Sequence, residues 1–221
     1  MTILVDAERK YPPAAHRRTH RPPAPAAYAS YRPCLRLEFS FTCVYCLSAE
    51  TEVALLEKNG TFEIEHFRPK AKFRHLRNAY GNLLWACQAC NRAKRDTWPK
   101  PREQKQGMRF VDPTKEPLDA YLRIVGEDVV PANGDPAGAY MIDELNLNSA
   151  LHKRRRRQRA ELLKCIATLE AAGTVLRERV EASGDAEALG ALSNYKKQLK
   201  ELVALQGPNS PWDAPSQCAC A

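Results

Sequence analysis

Apolar and polar positions alternate most regularly in Phe62-Glu63-Ile64-Glu65-His66-Phe67, the period of two that marks a half-buried strand, and Pro69 ends it. Asn82-Leu83-Leu84-Trp85-Ala86 predicts a second short strand. Gln88 to Arg95 carries good helix formers, and Pro99 and Pro101 close the segment. Upstream, Phe39 to Cys46 reads as a short strand running into a turn, and Glu52 to Lys58 as a short helix stopped by Asn59-Gly60. Residues 108–131 predict two or three short strands, with Phe110-Val111 before Asp112-Pro113 and Tyr121 to Val125 before Gly126. Residues 132–139 read as a Gly- and Pro-rich loop. From 140 to 206 the pattern is helical. Leu189, Leu192, Tyr195, Leu199, Leu202 and Leu205 recur at steps of three or four, which puts one apolar stripe on a helix. Breaks are expected near Gly173 and at Ser183-Gly184-Asp185, giving an antiparallel helical pair packed on the core or on a partner.

The first 33 residues hold six of the 16 prolines together with Arg17, Arg18, Arg21 and Arg32. Proline removes backbone donors and fixes φ, so this stretch reads as an extended, poorly ordered arm. The tail from Gly207 reads as irregular. The organisation is then a leader at 1–33, a compact unit at 34–102, short strands and a loop at 103–139, a helical region at 140–206 and a tail at 207–221. The fold class is α+β with a helical C-terminal half.

Composition narrows the picture. At 221 residues and 24.9 kDa the chain suits one ordinary domain with appendages. No stretch approaches the ~18 apolar residues of a membrane span, and the first 30 residues lack the apolar core of an export signal, so a cytoplasmic location is expected. A net charge of +8 favours a polyanionic partner. The eight cysteines include two C-x-x-C pairs, Cys43/Cys46 and Cys87/Cys90, separated by 40 residues. Two such knuckles put four thiolates within tetrahedral reach of one Zn²⁺ and leave no open position, so the ion is structural. Cys165 is expected in the core.

Glu65-His66 lies between the knuckles, Asn82 opens the second strand, and Asn91 follows Cys90 on the predicted helix. A hairpin followed by a helix brings these points together. Cutting a phosphodiester needs a water activated near neutral pH and a divalent cation on the phosphate. Histidine suits the first task, and oxygen ligands from Glu and Asn suit a hard Mg²⁺ or Mn²⁺ for the second. From His66 through Arg102 there are ten lysines or arginines and one acid, Asp96. Arg68, Lys70, Lys72, Arg74, Arg77, Arg92, Lys94 and Arg95 form a candidate surface for nucleic-acid phosphates. About five phosphate contacts give a log–log salt slope of about −4 to −5. Lys153 to Arg159, KRRRRQR, is a second basic cluster that opposes the dipole at a helix start, and an anionic partner would relieve it. His152 is read as structural.

The stretch CVYC, EIEHFRPKAKF and NLLWACQACNRAK resembles the HNH (ββα-metal) endonucleases in their four-cysteine zinc form. The resemblance implies a DNA phosphodiester hydrolase with RNA not excluded. In it His66 is the general base, Glu65 and Asn91 hold the catalytic Mg²⁺ or Mn²⁺, and Asn82 fixes the loop that orients His66. The family often has Asp where this chain has Glu65 and His where it has Asn91. More loosely, the layout through FVDP, LNLN and KRRRRQR resembles the HNH subgroup of Septu-type and retron-associated phage defence. That resemblance implies a separate partner ATPase, meeting residues 140–206. The alternative is a non-catalytic zinc ribbon that binds nucleic acid.

Overall fold

The computed structural model describes residues 10–23, 27–57, 60–184 and 186–205. Pro25, the Asn59 helix stop and the tail from Gly207 lie outside the described residues. The centre of the fold is an antiparallel hairpin of β1 (Phe62–His66) and β2 (Leu83–Cys87), with Phe62 opposite Cys87 and His66 opposite Leu83. β2 is buried at every position, whereas β1 keeps Glu63 and Ile64 half-buried. Helix α3 (Gln88–Lys94) follows β2 with no intervening loop, because Cys87 is both the last strand residue and the helix cap. Around this ββα unit stand α1 (Arg32–Glu38), α2 (Glu50–Leu56) and α4 (Pro101–Lys105). A second hairpin, β3 (Leu122–Val125) with β4 (Asp128–Pro131), leads into α5 (Pro136–Glu144). The chain ends in α6 (Ala150–Ser183) and α7 (Ala186–Leu205).

Leu35, Phe39, Val44, Tyr45, Leu83, Leu84 and Trp85 are almost wholly buried, and the same core continues through Leu118 and Leu122 to Met141, Leu145 and Leu147. Each such side chain contributes about 1.5–3 kcal/mol. The hairpin of α6 and α7 has a separate small core built on Ile166, Leu192, Tyr195 and Leu199.

Several expectations need correction. The leader is extended over residues 10–23 but firmly packed: Tyr11, His16 and His20 are buried. The Tyr11 hydroxyl donates to the Tyr45 carbonyl at 2.9 Å. Glu38, itself fully buried, accepts from the Arg18 guanidinium at 2.8 Å, the Thr19 amide at 2.9 Å and the Tyr80 hydroxyl at 2.7 Å. Burial pushes its carboxyl up, but Arg18 and these donors leave it below the usual range. Pro33 lies in the first turn of α1, where a proline costs no helix hydrogen bond. Phe39 to Cys46 is a run of turns rather than a strand, with Ser40 and Phe41 left-handed at φ 52° and 55°. Phe110-Val111 is buried without joining a sheet.

Within 132–139 a helix starts at Pro136, because Asp135 caps it by accepting from the Ala137 and Gly138 amides at 2.8 and 3.0 Å. A Cβ on Gly138 would lie 2.1 Å from the Tyr121 carbonyl oxygen, so the glycine permits that close approach. α6 does not break at Gly173. A Cβ there would lie 2.1 Å from the Tyr195 ring, and the glycine instead seats α7 against α6. The turn does fall at Gly184, left-handed at φ 64°. Leu189 and Cys165 are exposed, so neither is core.

The arginine run at the start of α6 also differs from its reading. Arg155, Arg156 and Arg159 point inward and are buried. Arg159 forms a two-bond pair with Glu52 at 2.7 and 2.6 Å, and Arg157 pairs with Glu127 at 2.6 and 2.9 Å. Arg156 donates to the Leu147 carbonyl at 2.7 Å and the Asn148 side chain at 3.3 Å. Lys153 meets Asp128 at 2.7 Å. The anions that relieve this cluster are the protein's own Glu52, Glu57, Glu127 and Asp128.

Candidate active site

The hairpin and α3 bring both knuckles together. The sulfurs of Cys43, Cys46, Cys87 and Cys90 all lie within 4.8 Å of one another and are buried. Cys46 Sγ and Cys87 Sγ are 3.7 Å apart. A tetrahedral Zn²⁺ with Zn–S near 2.3 Å needs an edge of about 3.8 Å, so the donor set fits zinc in both chemistry and spacing. The first knuckle is held by bonds from the Val44 amide to the Trp85 carbonyl at 3.0 Å and from the Leu47 amide to the Cys43 carbonyl at 3.0 Å. The second is set by the β2–α3 junction.

His66 ends β1. Its Nε2 lies 3.0 Å from the Arg77 carbonyl oxygen, an acceptor only, so Nε2 carries the proton and Nδ1 holds the basic lone pair. Burial lowers the His66 pKa, against the Arg77 carbonyl and aided by Lys70, Lys94 and Arg77. Asn82 clamps the loop that presents Arg77. It accepts from the Arg68 amide at 2.9 Å and donates to the Arg68 and Leu76 carbonyls at 3.0 and 3.3 Å. Phe73 in the same loop packs edge-on against Trp98. The Tyr28 ring lies edge-on to His66 at 4.7 Å, a neighbour with no signal in the sequence.

Glu65 and His66 diverge, as adjacent strand residues do. The buried Glu65 carboxylate meets Lys94 Nζ at 2.5 Å and the Tyr45 hydroxyl at 3.3 Å. Burial pushes its pKa up, while Lys94 and Tyr45 pull it back. Asn91 donates to Glu63 at 2.5 Å, and Gln88 donates to the other Glu63 oxygen at 3.0 Å. Glu63 and Glu65, two apart on β1, share the face that α3 covers. Asn91 is therefore brought to that face through Glu63 rather than by a direct bond to Glu65. Sequence reasoning missed Glu63, although the i, i+2 spacing signals it. Two carboxylates and an amide oxygen are of the type a hard divalent ion takes, but the Lys94 ammonium already neutralises Glu65 and opposes a further cation at that carboxylate.

Arg68, Lys70, Lys72, Arg74, Arg77, Arg92 and Arg95 are exposed around this unit. Lys94 departs from the expected surface role. It is fully buried, and its ammonium is taken by Glu65 and by the His66 carbonyl at 2.9 Å. The other residues that sequence reasoning missed come from α6. His152 Nε2 lies 3.4 Å from Cys90 Sγ, and Arg155 Nη1 lies 3.3 Å from Cys87 Sγ. Burial disfavours the charged His152 ring, but the facing cysteine sulfurs raise its pKa to about 10.

Residues 43–97 match the family model of the HNH endonucleases. They form an HNH endonuclease domain with a buried four-cysteine cluster able to hold zinc, in an α+β chain. The family implies nuclease activity on nucleic acid and a divalent metal. No curated protein and no solved structure matches the chain significantly. No helix among the described residues is long and apolar enough to cross a membrane.

Proposed function

We propose that the protein is a metal-dependent endonuclease that hydrolyses DNA phosphodiester bonds with His66 as the general base. The observation that carries this reading is the 3.0 Å contact of His66 Nε2 with the Arg77 carbonyl, which favours the proton on Nε2 and leaves Nδ1 to take a proton from the attacking water. Asn82 keeps that carbonyl in place by fixing the loop. By the family resemblance Glu65 and Asn91, with Glu63 beside them, would hold Mg²⁺ or Mn²⁺, which would supply charge to the phosphate when bound, and Glu65 would exchange its pair with Lys94 for the ion. The exposed arginines and lysines of 68–77, with Arg92 and Arg95, draw the substrate in through its phosphates. Cys43, Cys46, Cys87 and Cys90 would hold a structural zinc that keeps β1, β2 and α3 in register. The resemblance to phage-defence HNH proteins adds a narrower proposal, an effector governed by a partner ATPase that meets the α6–α7 hairpin. A cytoplasmic location is part of this reading.

The test is cleavage of supercoiled plasmid and of defined RNA, with Mg²⁺ or Mn²⁺, by the wild type and by His66→Ala. The wild type should cut DNA, and the variant should bind it equally while cutting at least about a hundredfold more slowly, the low end of general-base contributions. Cutting by the variant within tenfold of wild type overturns the role of His66. Binding by the wild type with no cutting in either metal favours the zinc ribbon.

A further inference from the structure

We infer that the first turns of α6 are the outer shell of the four-cysteine metal centre, with Arg155 and His152 as positioning residues for the ligand sulfurs. This goes beyond the nuclease reading and does not depend on it. The four cysteines all fall within 43–90, a unit that by spacing alone would be complete. Yet Arg155 Nη1 lies 3.3 Å from Cys87 Sγ and 3.9 Å from Cys46 Sγ, and His152 Nε2 lies 3.4 Å from Cys90 Sγ. Two of the four sulfurs thus meet a guanidinium donor that the chain supplies at least 68 residues later, and a third is in contact with the His152 ring. The His152 ring is itself aimed by Nδ1, 2.9 Å from the Asn146 carbonyl and 3.0 Å from Ser149 Oγ. Ser149 is also the cap of α6, so the device that starts the helix orients the donor.

The chemistry accounts for the arrangement. Four thiolates on one divalent ion leave two net negative charges in a buried site, which is costly without nearby donors. A guanidinium is always charged and spreads its donors over a fork, so one side chain reaches two sulfurs and still bonds Glu57 through Nε at 2.6 Å. Thiolates that receive such bonds are held in the orientation the metal needs. The docking of α6 also rests on Arg156 and on the Arg159–Glu52 pair, which contact no sulfur, so loss of Arg155 alone leaves the helix in place.

The experiment uses the full chain loaded with zinc or with Co²⁺. Arg155→Met keeps the stem and removes the donors. It should weaken zinc retention against a coloured chelator by about 10–100-fold. It should also move the sulfur-to-cobalt charge-transfer band to longer wavelength, because lone pairs without N–H bonds lie higher in energy. Arg155→Lys should restore part of both, and Glu57→Gln should leave both near wild type. Wild-type zinc retention and an unshifted band in Arg155→Met overturn the inference, as does Glu57→Gln reproducing the whole effect. Should Arg155→Met not fold, His152→Phe reads the Cys90 side by the same two measurements. Unchanged values there overturn it equally.

Discussion

Lys94→Met removes the ammonium that faces Glu65 in the interior. The two side chains are 0% and 3% exposed and their charged atoms stand 2.5 Å apart. Removing one partner of such a pair leaves an uncompensated charge and costs about 3–5 kcal/mol. The Tyr45 hydroxyl, at 3.3 Å, is too distant to recover much of this. The loss depends on pH in a definite direction. Burial already raises the Glu65 pKa above its ordinary 4.5 despite Lys94, and removing Lys94 raises it further. A carboxyl whose pKa is higher folded than unfolded binds its proton more tightly in the native state. Its contribution is therefore full below the unfolded pKa and is lost as pH rises through the folded one. The deficit of Lys94→Met against wild type should be about 3 kcal/mol near neutral pH and should shrink towards about pH 5. Adding Glu65→Gln should remove most of the deficit, since no buried charge remains. Urea unfolding of zinc-loaded protein without added magnesium, followed by tryptophan fluorescence, measures each difference. A neutral-pH loss below about 1 kcal/mol, or one that does not shrink in acid, refutes the reasoning.

Cys87→Ser should lose zinc and unfold the ββα unit, and a folded variant that keeps stoichiometric zinc would refute a structural metal. Asn82→Ala deletes three loop hydrogen bonds and should cost about 1–3 kcal/mol, with cleavage falling more than DNA affinity; unchanged cleavage would show that the clamp does not orient His66. Burial lowers the His16 pKa from 6.5 to about 4, so the unfolded chain gains this proton first and stability drops as pH falls between those values. The full shift corresponds to about 3 kcal/mol, and His16→Phe should flatten that part of the pH profile. A profile identical to wild type would place His16 outside the core.

The elements of the ββα unit were legible because each is written locally. Alternation marks β1, an apolar run marks β2, and helix formers between a knuckle and two prolines mark α3. The metal-site cysteines were legible for the same reason, as each pair is set by its own short spacing. What escaped was decided at long range. KRRRRQR looks like a surface cluster because its partners Glu52, Glu57 and Glu127 lie far back in the chain. Gly173 looks like a break because glycine costs about 1 kcal/mol in a helix, yet close packing of Tyr195 decides its place. Proline in the leader does exclude regular structure over 10–23, but it does not prevent Tyr11 and His16 from packing. The Asn91–Glu63 bond was hidden because adjacency drew attention to Glu65, whose nearest charge is Lys94.

The absence of any loop between β2 and α3 makes their joint sensitive to length. One inserted residue after Cys87 would turn the whole helix by about 100° about its axis. Cys90 would rotate out of the sulfur cluster and Asn91 away from the hairpin in the same step, with no slack to absorb the change. The stretch between Pro69 and Tyr80 is different, because its ends are tied by side chains rather than by helical phase. Evolution or engineering can vary the exposed basic side chains of that stretch as long as the Arg77 carbonyl keeps its place on His66, while the joint must keep its count to the residue.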